Sequence, residues 1–340
     1  MLVPYLRSSS LNQFKSCEMK YTLEYLFGMR SASGKKALLG TIFHRCFELR
    51  GLGGRAKRNK LLVFEDTDFG QFLTNDALDL QANLDYCFEH YKTTDKHIDL
   101  TESDKKTVMK WMVNTLKDYP QYDPSNLNII NTEQYFDIEI KEPWAKYTGK
   151  IDGQEISGQL RIKGTMDTII EHSLTTWEML DYKTGQHRSD FATGEEKTLE
   201  YMKSDVQLLL YLIALKTLWP DKDFILTLFY INNGGMFSVH GDDEMLGRAY
   251  KMLEDSFKKI SDTFNPKQLD KYHRDWRCKY CCSFSKPNEE SGGLSACQFY
   301  KKEIDQYGLQ VVMDRKLDIS SFGLYGSGGG RKDVEEKKEA

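Results

Sequence analysis

Apolar residues recur at helical spacing near both ends of the chain and at strand spacing in its middle. Leu11, Phe14, Cys17, Tyr21 and Tyr25 follow three serines at 8–10, which predicts a capped amphipathic helix with Cys17 on its apolar stripe. Residues 37–50 predict a second helix, in which His44 and Glu48 are four apart and neighbours on one face. Leu73, Leu80, Leu84 and Phe88 predict a helix over about 70–92, and Val108, Trp111, Met112 and Leu116 another over about 102–119. From residue 128 the period shortens. Phe136, Ile138 and Ile140 alternate with polar neighbours, opening a strand-rich centre that also holds Glu133. Residues 160–170 and 177–183 predict two strands joined by a turn at 173–176. A polar loop at 186–198 leads into a long apolar helix over about 199–218, where Lys203, Gln207 and Tyr211 recur every four residues as a polar stripe. Residues 224–231 predict a buried strand, and 244–264 another amphipathic helix.

Composition narrows the class. With 340 residues, 40% hydrophobic and 12% aromatic, the chain can bury a substantial core. No apolar run approaches the roughly 18 residues that span a membrane, and the opening residues lack the layout of a signal peptide. A cytoplasmic protein is expected (in the host cytoplasm, if phage-encoded), where the seven cysteines are not expected to pair as structural disulfides. A net charge of −4 means that any nucleic-acid surface is a local patch. The most basic stretch, residues 50–60, reads either as a solvated loop or as a phosphate-tracking surface leading away from His44. Residues 28–36 place Lys36 where a phosphate-binding loop needs Ser or Thr, so no nucleotide-driven motor is expected.

The candidate chemistry is concentrated in residues 164–185. Alternation along a strand puts Trp177, Met179, Asp181 and Lys183 on one face and Leu180 and Tyr182 on the other. Charges on a partly buried face need a partner or a ligand, although an Asp-x-Lys alone also describes a solvated ion pair at a strand end. Asp167, late in the preceding strand, brings a second carboxylate beside Asp181. Two carboxylates and a lysine suit a divalent metal acting on a phosphodiester. Near the other end, Cys278, Cys281 and Cys282 are followed by Cys297. Thiolates at Cys-x-x-Cys spacing chelate an iron–sulfur cluster or zinc. Cys17 would supply a further thiolate, or is simply a small buried hydrophobe. Residues 326–340 read as a flexible tail.

A helix carrying His, then Gly-x-x-Asp at 164–167, Asp-Tyr-Lys-Thr-Gly at 181–185 and Gln-x-x-x-Tyr at 207–211 resembles the RecB-like branch of the PD-(D/E)XK nucleases, over roughly residues 8–300. The cysteine layout is similar to that family's iron–sulfur subgroup, which includes the AddB nuclease domain, CRISPR-adaptation exonucleases and phage relatives. The resemblance implies an α/β, restriction-endonuclease-like core: a central mixed β-sheet flanked by helices, with a cysteine-cluster cap. It implies one nuclease domain over 1–325, with a helical insertion at about 50–125, a core at about 128–240 and a C-terminal helix and cysteine region at about 242–300. Asp167 and Asp181 would bind Mg²⁺ or Mn²⁺ together with His44 and the Tyr182 carbonyl. Lys183 would position water or stabilise developing charge. Gln207 and Tyr211 would orient Lys183 or contact the DNA backbone, and Glu133 would be an additional acidic contact. Cys17, Cys278, Cys281 and Cys297 would hold a 4Fe–4S cluster, with zinc as the alternative. Their last gap is longer than usual, and Cys282 is spare, able to replace Cys281 or Cys297. The activity implied is metal-dependent exonuclease action on single-stranded DNA or duplex ends, in recombination, repair or phage DNA processing. A helicase or single-strand-binding protein would be its partner. The alternative is a non-catalytic nucleic-acid-binding or scaffold protein on the same fold; the complete acidic–lysine set stands against it.

Overall fold

The computed structural model describes residues 3–29, 34–151, 154–185, 197–232, 234–267, 278, 282–287 and 293–314. In chain order the elements are β1 (Tyr5–Leu6), α1 (Ser8–Ser16), α2 (Glu18–Tyr21), α3 (Lys35–Arg58), β2 (Val63–Asp66), β3 (Gly70–Leu73), α4 (Thr74–Leu78), α5 (Leu80–Thr94) and α6 (Glu102–Asp118). They continue with β4 (Ile129–Glu139), β5 (Lys146–Ile151), β6 (Gln154–Gln159), β7 (Arg161–Glu171), β8 (Thr176–Lys183), α7 (Leu199–Met202) and α8 (Val206–Leu218). The last are β9 (Asp223–Tyr230), β10 (Gly235–His240), α9 (Asp243–Ser261), α10 (Ala296–Tyr307) and α11 (Leu309–Asp314). Contacts divide the chain into two units, one of Met1–Ala32, Glu139–Arg161 and Met252–Ala340, the other of Ser33–Ile138 and Ile162–Lys251.

The second unit holds a mixed sheet in the order β7-β8-β9-β10, with β4 also paired to β7. β7 and β8 are antiparallel, with Thr168 opposite Leu180 and Glu171 opposite Trp177. β8 and β9 are parallel, from Thr176 opposite Asp223 to Lys183 opposite Tyr230. Strands paired in parallel are covered on both faces, and residues 177–182 of β8 are accordingly all buried. Phe43 and Phe47 of α3, Leu84 and Phe88 of α5, and Met112 of α6 form one apolar cluster with Ile170, Leu180, Tyr182 and Phe229 of the sheet. The other face meets α8, whose residues from Leu208 to Leu215 are all buried. The expected alternation along β8 therefore holds: Leu180 and Tyr182 face the α3 cluster, and Asp181 faces α8.

Local departures from the expectation have physical causes. The stretch read as a basic loop is helix, because α3 continues to Arg58. Its glycines suggested a loop, but they are where the helix lies closest to its neighbours. A Cβ on Gly54 would sit 2.2 Å from the Ser125 carbonyl oxygen, and one on Gly51 2.7 Å from Ile129 Cδ1. The arginines fasten this contact. Arg58 donates to the Ser125 and Leu127 carbonyls, and Arg50 pairs with Asp123. The segment expected as one helix over 70–92 is β3, α4 and α5, with Asp79 capping α5 by accepting from Ala82 N–H at 2.8 Å. Residues 50–125 are thus mostly helical but include the β2–β3 hairpin. The helix expected over 199–218 breaks into α7 and α8. Asp205 caps α8, accepting from the Gln207 and Leu208 N–H groups, and Lys203 pairs instead with Glu200. The polar stripe is therefore Gln207 and Tyr211 alone.

In the first unit Cys17 does not lie on a helical stripe. It stands in extended backbone between α1 and α2, where its side chain accepts from Lys20 N–H and caps α2. Met19, Leu23, Met29, Phe284, Cys297, Tyr300 and Ile304 make that unit's apolar cluster, against which Cys17 and Cys282 also rest. β5 and β6 form an antiparallel hairpin. Among the described residues, no helix is long and apolar enough to cross a membrane. Cys281 and the tail at 326–340 lie outside the described residues.

Candidate active site

Asp167 and Asp181 lie on adjacent antiparallel strands, one register step beyond the pair Thr168–Leu180, so the backbone alone brings two carboxylates side by side. The Tyr182 N–H donates to Asp167 Oδ2 at 2.9 Å, while the Tyr182 ring turns away to the aromatic group of Phe43, Phe47 and Phe229. α3 passes close to the end of β8 because Gly40 has no side chain: a Cβ there would be 2.8 Å from Thr184 Oγ1. One turn further along α3, His44 places Nδ1 3.0 Å from Asp167 Oδ2.

α8 completes the arrangement from the other face. Lys183 Nζ pairs with Asp181 Oδ2 and donates to Gln207 Oε1 at 2.7 Å. The Gln207 amide donates to Asp181 Oδ1 at 2.8 Å and to Tyr211 Oη at 2.6 Å. Tyr211 in turn donates to the Thr165 carbonyl on β7 at 2.7 Å. Gln207 therefore holds both members of the Asp-x-Lys pair, and Tyr211 ties Gln207 to the strand that carries Asp167.

Glu133 enters from β4. Its φ of 46° is in the left-handed region, unusual inside a strand and for a residue with a side chain. Its carboxylate, His44 and Asp167 offer ligand atoms within 4.8 Å of one another. The sequence marks Glu133 only as an acid in a strand; no signal in it announces the left-handed backbone at this position or that its exposed carboxylate stands beside His44 and Asp167. It also hides the role of Arg45. This guanidinium is 6% exposed and is ringed by Glu48, Asp66 and Asp68. Glu48, expected as a face neighbour of His44, is the partner of Arg45.

Electrostatics follows from this crowding. Burial opposes charge on His44, but Asp167 beside it lifts its pKa to about 9. Burial also pushes Asp167 up, yet His44 holds its carboxyl below the usual range. For Asp181, burial and the neighbouring Asp167 outweigh Lys183 and raise the pKa to about 6. Lys183 is disfavoured by burial but kept charged by Asp181 and Asp167. Desolvation and then Asp167 raise Glu133 to about 7. Burial and the Asp167 charge raise Asp181 and Glu133, and these carboxylates beside an imidazole form a donor set that a cation would relieve. Hard oxygen donors with one imidazole suit Mg²⁺ or Mn²⁺.

Of the expected site residues, His44, Asp167, Asp181, Tyr182, Lys183, Gln207 and Tyr211 are thus brought together in the second unit. The cysteines lie in the first. The Ser285 hydroxyl is within hydrogen-bond reach of the carbonyls of both Cys278 and Cys282 and donates to them. Burial raises the Cys282 thiol, and Cys17 is among the groups that add to the rise. No disulfide joins the described cysteines.

No curated protein matches this sequence. Among solved structures, a candidate exonuclease from Eubacterium rectale is similar at 12% identity, with 78% of this chain and 85% of that one covered and a TM-score of 0.45. The protein SSO0001 is similar at 14% identity, over 80% of this chain and 91% of that one, with a TM-score of 0.26. The sequence family described as the PD-(D/E)XK nuclease superfamily matches residues 8–285, a span that takes in every residue of the acidic–lysine site. With that match, and the mixed sheet that carries Asp167, Asp181 and Lys183 on adjacent strands, the chain belongs to the PD-(D/E)XK nuclease superfamily.

Proposed function

We propose that this chain is a metal-dependent deoxyribonuclease of the RecB-like branch, an exonuclease acting in the cytoplasm on single-stranded DNA or duplex ends. One observation carries the reading: half-buried Asp167 beside buried Asp181, with Lys183 held against Asp181 by Gln207. His44, Asp167, Asp181 and the Tyr182 carbonyl would hold Mg²⁺ or Mn²⁺, with Glu133 as an acidic contact at the same place. A bound ion there supplies Lewis acidity, which favours ionisation of water and offsets charge on the phosphate. Lys183 acts on the attacking water and the developing phosphate charge from a position that two partners fix. Gln207 keeps Lys183 and Asp181 in register, and Tyr211 fixes Gln207. Residues 1–325 are read as one nuclease domain, with the insertion at about 50–125.

The cysteines support membership of the iron–sulfur subgroup. Cys17, Cys282 and Cys297 share one apolar cluster and the Cys278 and Cys282 carbonyls share the Ser285 hydroxyl, a thiol-rich setting that fits a 4Fe–4S cluster held by Cys17, Cys278, Cys281 and Cys297, with Cys282 able to replace Cys281 or Cys297. Brown protein absorbing near 400 nm is expected; colourless protein containing zinc would replace the cluster with a zinc site. The sequence has no motor motif, so processive action on duplexes calls for a partner helicase or single-strand-binding protein.

The test is degradation of end-labelled single-stranded DNA in Mg²⁺ and in Mn²⁺, against EDTA, with Lys183→Ala alongside. Metal-dependent laddering that the variant loses is the expected result. DNA binding without cleavage in either metal would leave a scaffold.

A further inference from the structure

We propose that the outer face of the β2–β3 hairpin, with the exposed ammonium groups of Lys57 and Lys60 beside it, is a docking surface for an acidic peptide segment that carries aliphatic side chains. Burial marks the face. Phe64 and Phe72 are opposite one another and turn inward to the apolar cluster shared with α3, α5 and α6. Alternation sends their neighbours outward, where a solvated face is ordinarily polar. Here the outward pair at the α3 end is Val63 opposite Leu73, 36% and 52% exposed. Leu61 and Leu62, which lead into β2, are 49% and 83% exposed. Single exposed leucines are commonplace, but four aliphatic side chains at consecutive and cross-strand positions make a patch. The backbone beneath it is fixed. Thr74 donates its N–H to the Leu62 carbonyl at 2.9 Å and its hydroxyl to the Leu61 carbonyl at 2.7 Å. Among the described residues, β2 and β3 pair only with each other.

Charge selects the occupant. Lys60 ends α3 with a φ of 57°; its N–H donates to the Lys57 carbonyl at 3.0 Å, and the Leu61 N–H donates to the Ala56 carbonyl at 2.9 Å. This is a Schellman closure, whose left-handed position is usually glycine. A side chain there is strained, so the position keeps a cation that the helix end by itself disfavours. Lys57 and Lys60 are exposed, and among the described residues neither ammonium has a partner. The acids of the hairpin are engaged elsewhere: Asp66 and Asp68 with Arg45, and Glu65 with Gln71. An aliphatic patch rimmed by unpaired cations complements aliphatic residues rimmed by carboxylates. DNA fits it less well, because these side chains offer a base neither a ring to stack on nor a hydrogen bond. The surface is apart from the catalytic groups, since Lys57 lies about 20 Å further along α3 than His44.

The experiment uses the full chain in EDTA, so its outcome does not depend on the nuclease reading. Anisotropy of a fluorescein-labelled dodecapeptide that alternates Glu with Leu is titrated, beside Lys–Leu and Glu–Ser dodecapeptides and an oligothymidylate. The Glu–Leu peptide is expected to bind about tenfold or more tightly than either control peptide. Leu62→Ser combined with Leu73→Thr is expected to weaken that binding about tenfold, with oligothymidylate binding and melting temperature unchanged. Lys60→Gly removes the charge and the strain together. It is expected to weaken peptide binding about threefold while the melting temperature holds or rises, a loss that misfolding does not explain. Absence of Glu–Leu binding, equal binding of the three peptides, or binding unchanged in both variants would overturn the proposal. So would a parallel loss of oligothymidylate binding in the leucine variant, which would assign the face to DNA. A wild-type dimer that the leucine variant converts to monomer in sedimentation would assign it to a second copy of the chain and overturn the proposal equally.

Discussion

Glu133 shows how a single dihedral angle separates function from stability. In the left-handed region a side chain is strained by about 1–2 kcal/mol, a strain that glycine would relieve while giving back about 1 kcal/mol in unfolded-state entropy. Glu133→Gly is therefore expected to change stability by no more than about 1 kcal/mol in urea denaturation. It should also weaken Mn²⁺ binding measurably in calorimetry; unaltered Mn²⁺ affinity would remove Glu133 from the site. His44 gives a pH dependence with a definite sign. Its folded pKa of about 9 lies above the ordinary value of 6.5. In metal-free protein its contribution is complete below pH 6.5 and is lost as the pH rises through about 9. Melting temperatures of the wild type should fall across that window relative to His44→Asn. Because protons on His44 and Asp181 compete with a cation, apparent Mn²⁺ affinity should rise from pH 6 to pH 9. A flat profile would mean that neither group is a ligand.

At the scale of elements, close approach and capping place the site. α3 reaches the end of β8 through Gly40 and the 124–129 segment through Gly51 and Gly54. A Cβ on Gly54 meets backbone, which cannot turn aside, whereas on Gly51 it meets the end of an isoleucine. Gly54→Ala is thus expected to destabilise by about 3 kcal/mol despite alanine's better helix propensity, and Gly51→Ala by about 1 kcal/mol or less. Equal effects would show that the contact is not rigid. Asp205 caps α8 two residues before Gln207 and six before Tyr211. Asp205→Ala should cost about 1 kcal/mol and lower kcat, since the first turn of α8 orients Gln207. Unchanged kcat with the loss of stability would confine Asp205 to capping. Much of this was legible: α5, α6, β7, β8 and β9 follow the periods of their apolar residues. The rest was not, for identifiable reasons. Glycines at 51, 53 and 54 signal a loop locally and close packing only in context. Asp205 is a readable cap, but the apolar run around it favoured one uninterrupted helix.

At the scale of the whole molecule, the cysteines link distant parts of the chain. Cys17 and Cys297 belong to one apolar cluster although nearly the whole sequence separates them, and joining such remote positions removes much freedom from the unfolded chain. On the proposed 4Fe–4S ligation, Cys297→Ser is expected to give colourless protein with a lower melting temperature and faster proteolysis of the unit that holds the cysteines. Brown protein with unchanged melting would exclude Cys297 as a ligand.

What the sequence by itself determined is the set of chemical groups and their local order: Asp167, Asp181 and Lys183 on strands, Gln207 and Tyr211 one helical turn apart, His44 on a helix. These depend on periodicity and on short spacings, which act within a few residues. Only the tertiary structure decided that Asp181 is pushed up while Asp167 is held down, that Glu133 comes within ligand distance of His44 and Asp167, and that Lys183 is held by Asp181 and Gln207. Those outcomes depend on burial and on charges brought together from remote parts of the chain, and desolvation and Coulomb energies are set by distances in space.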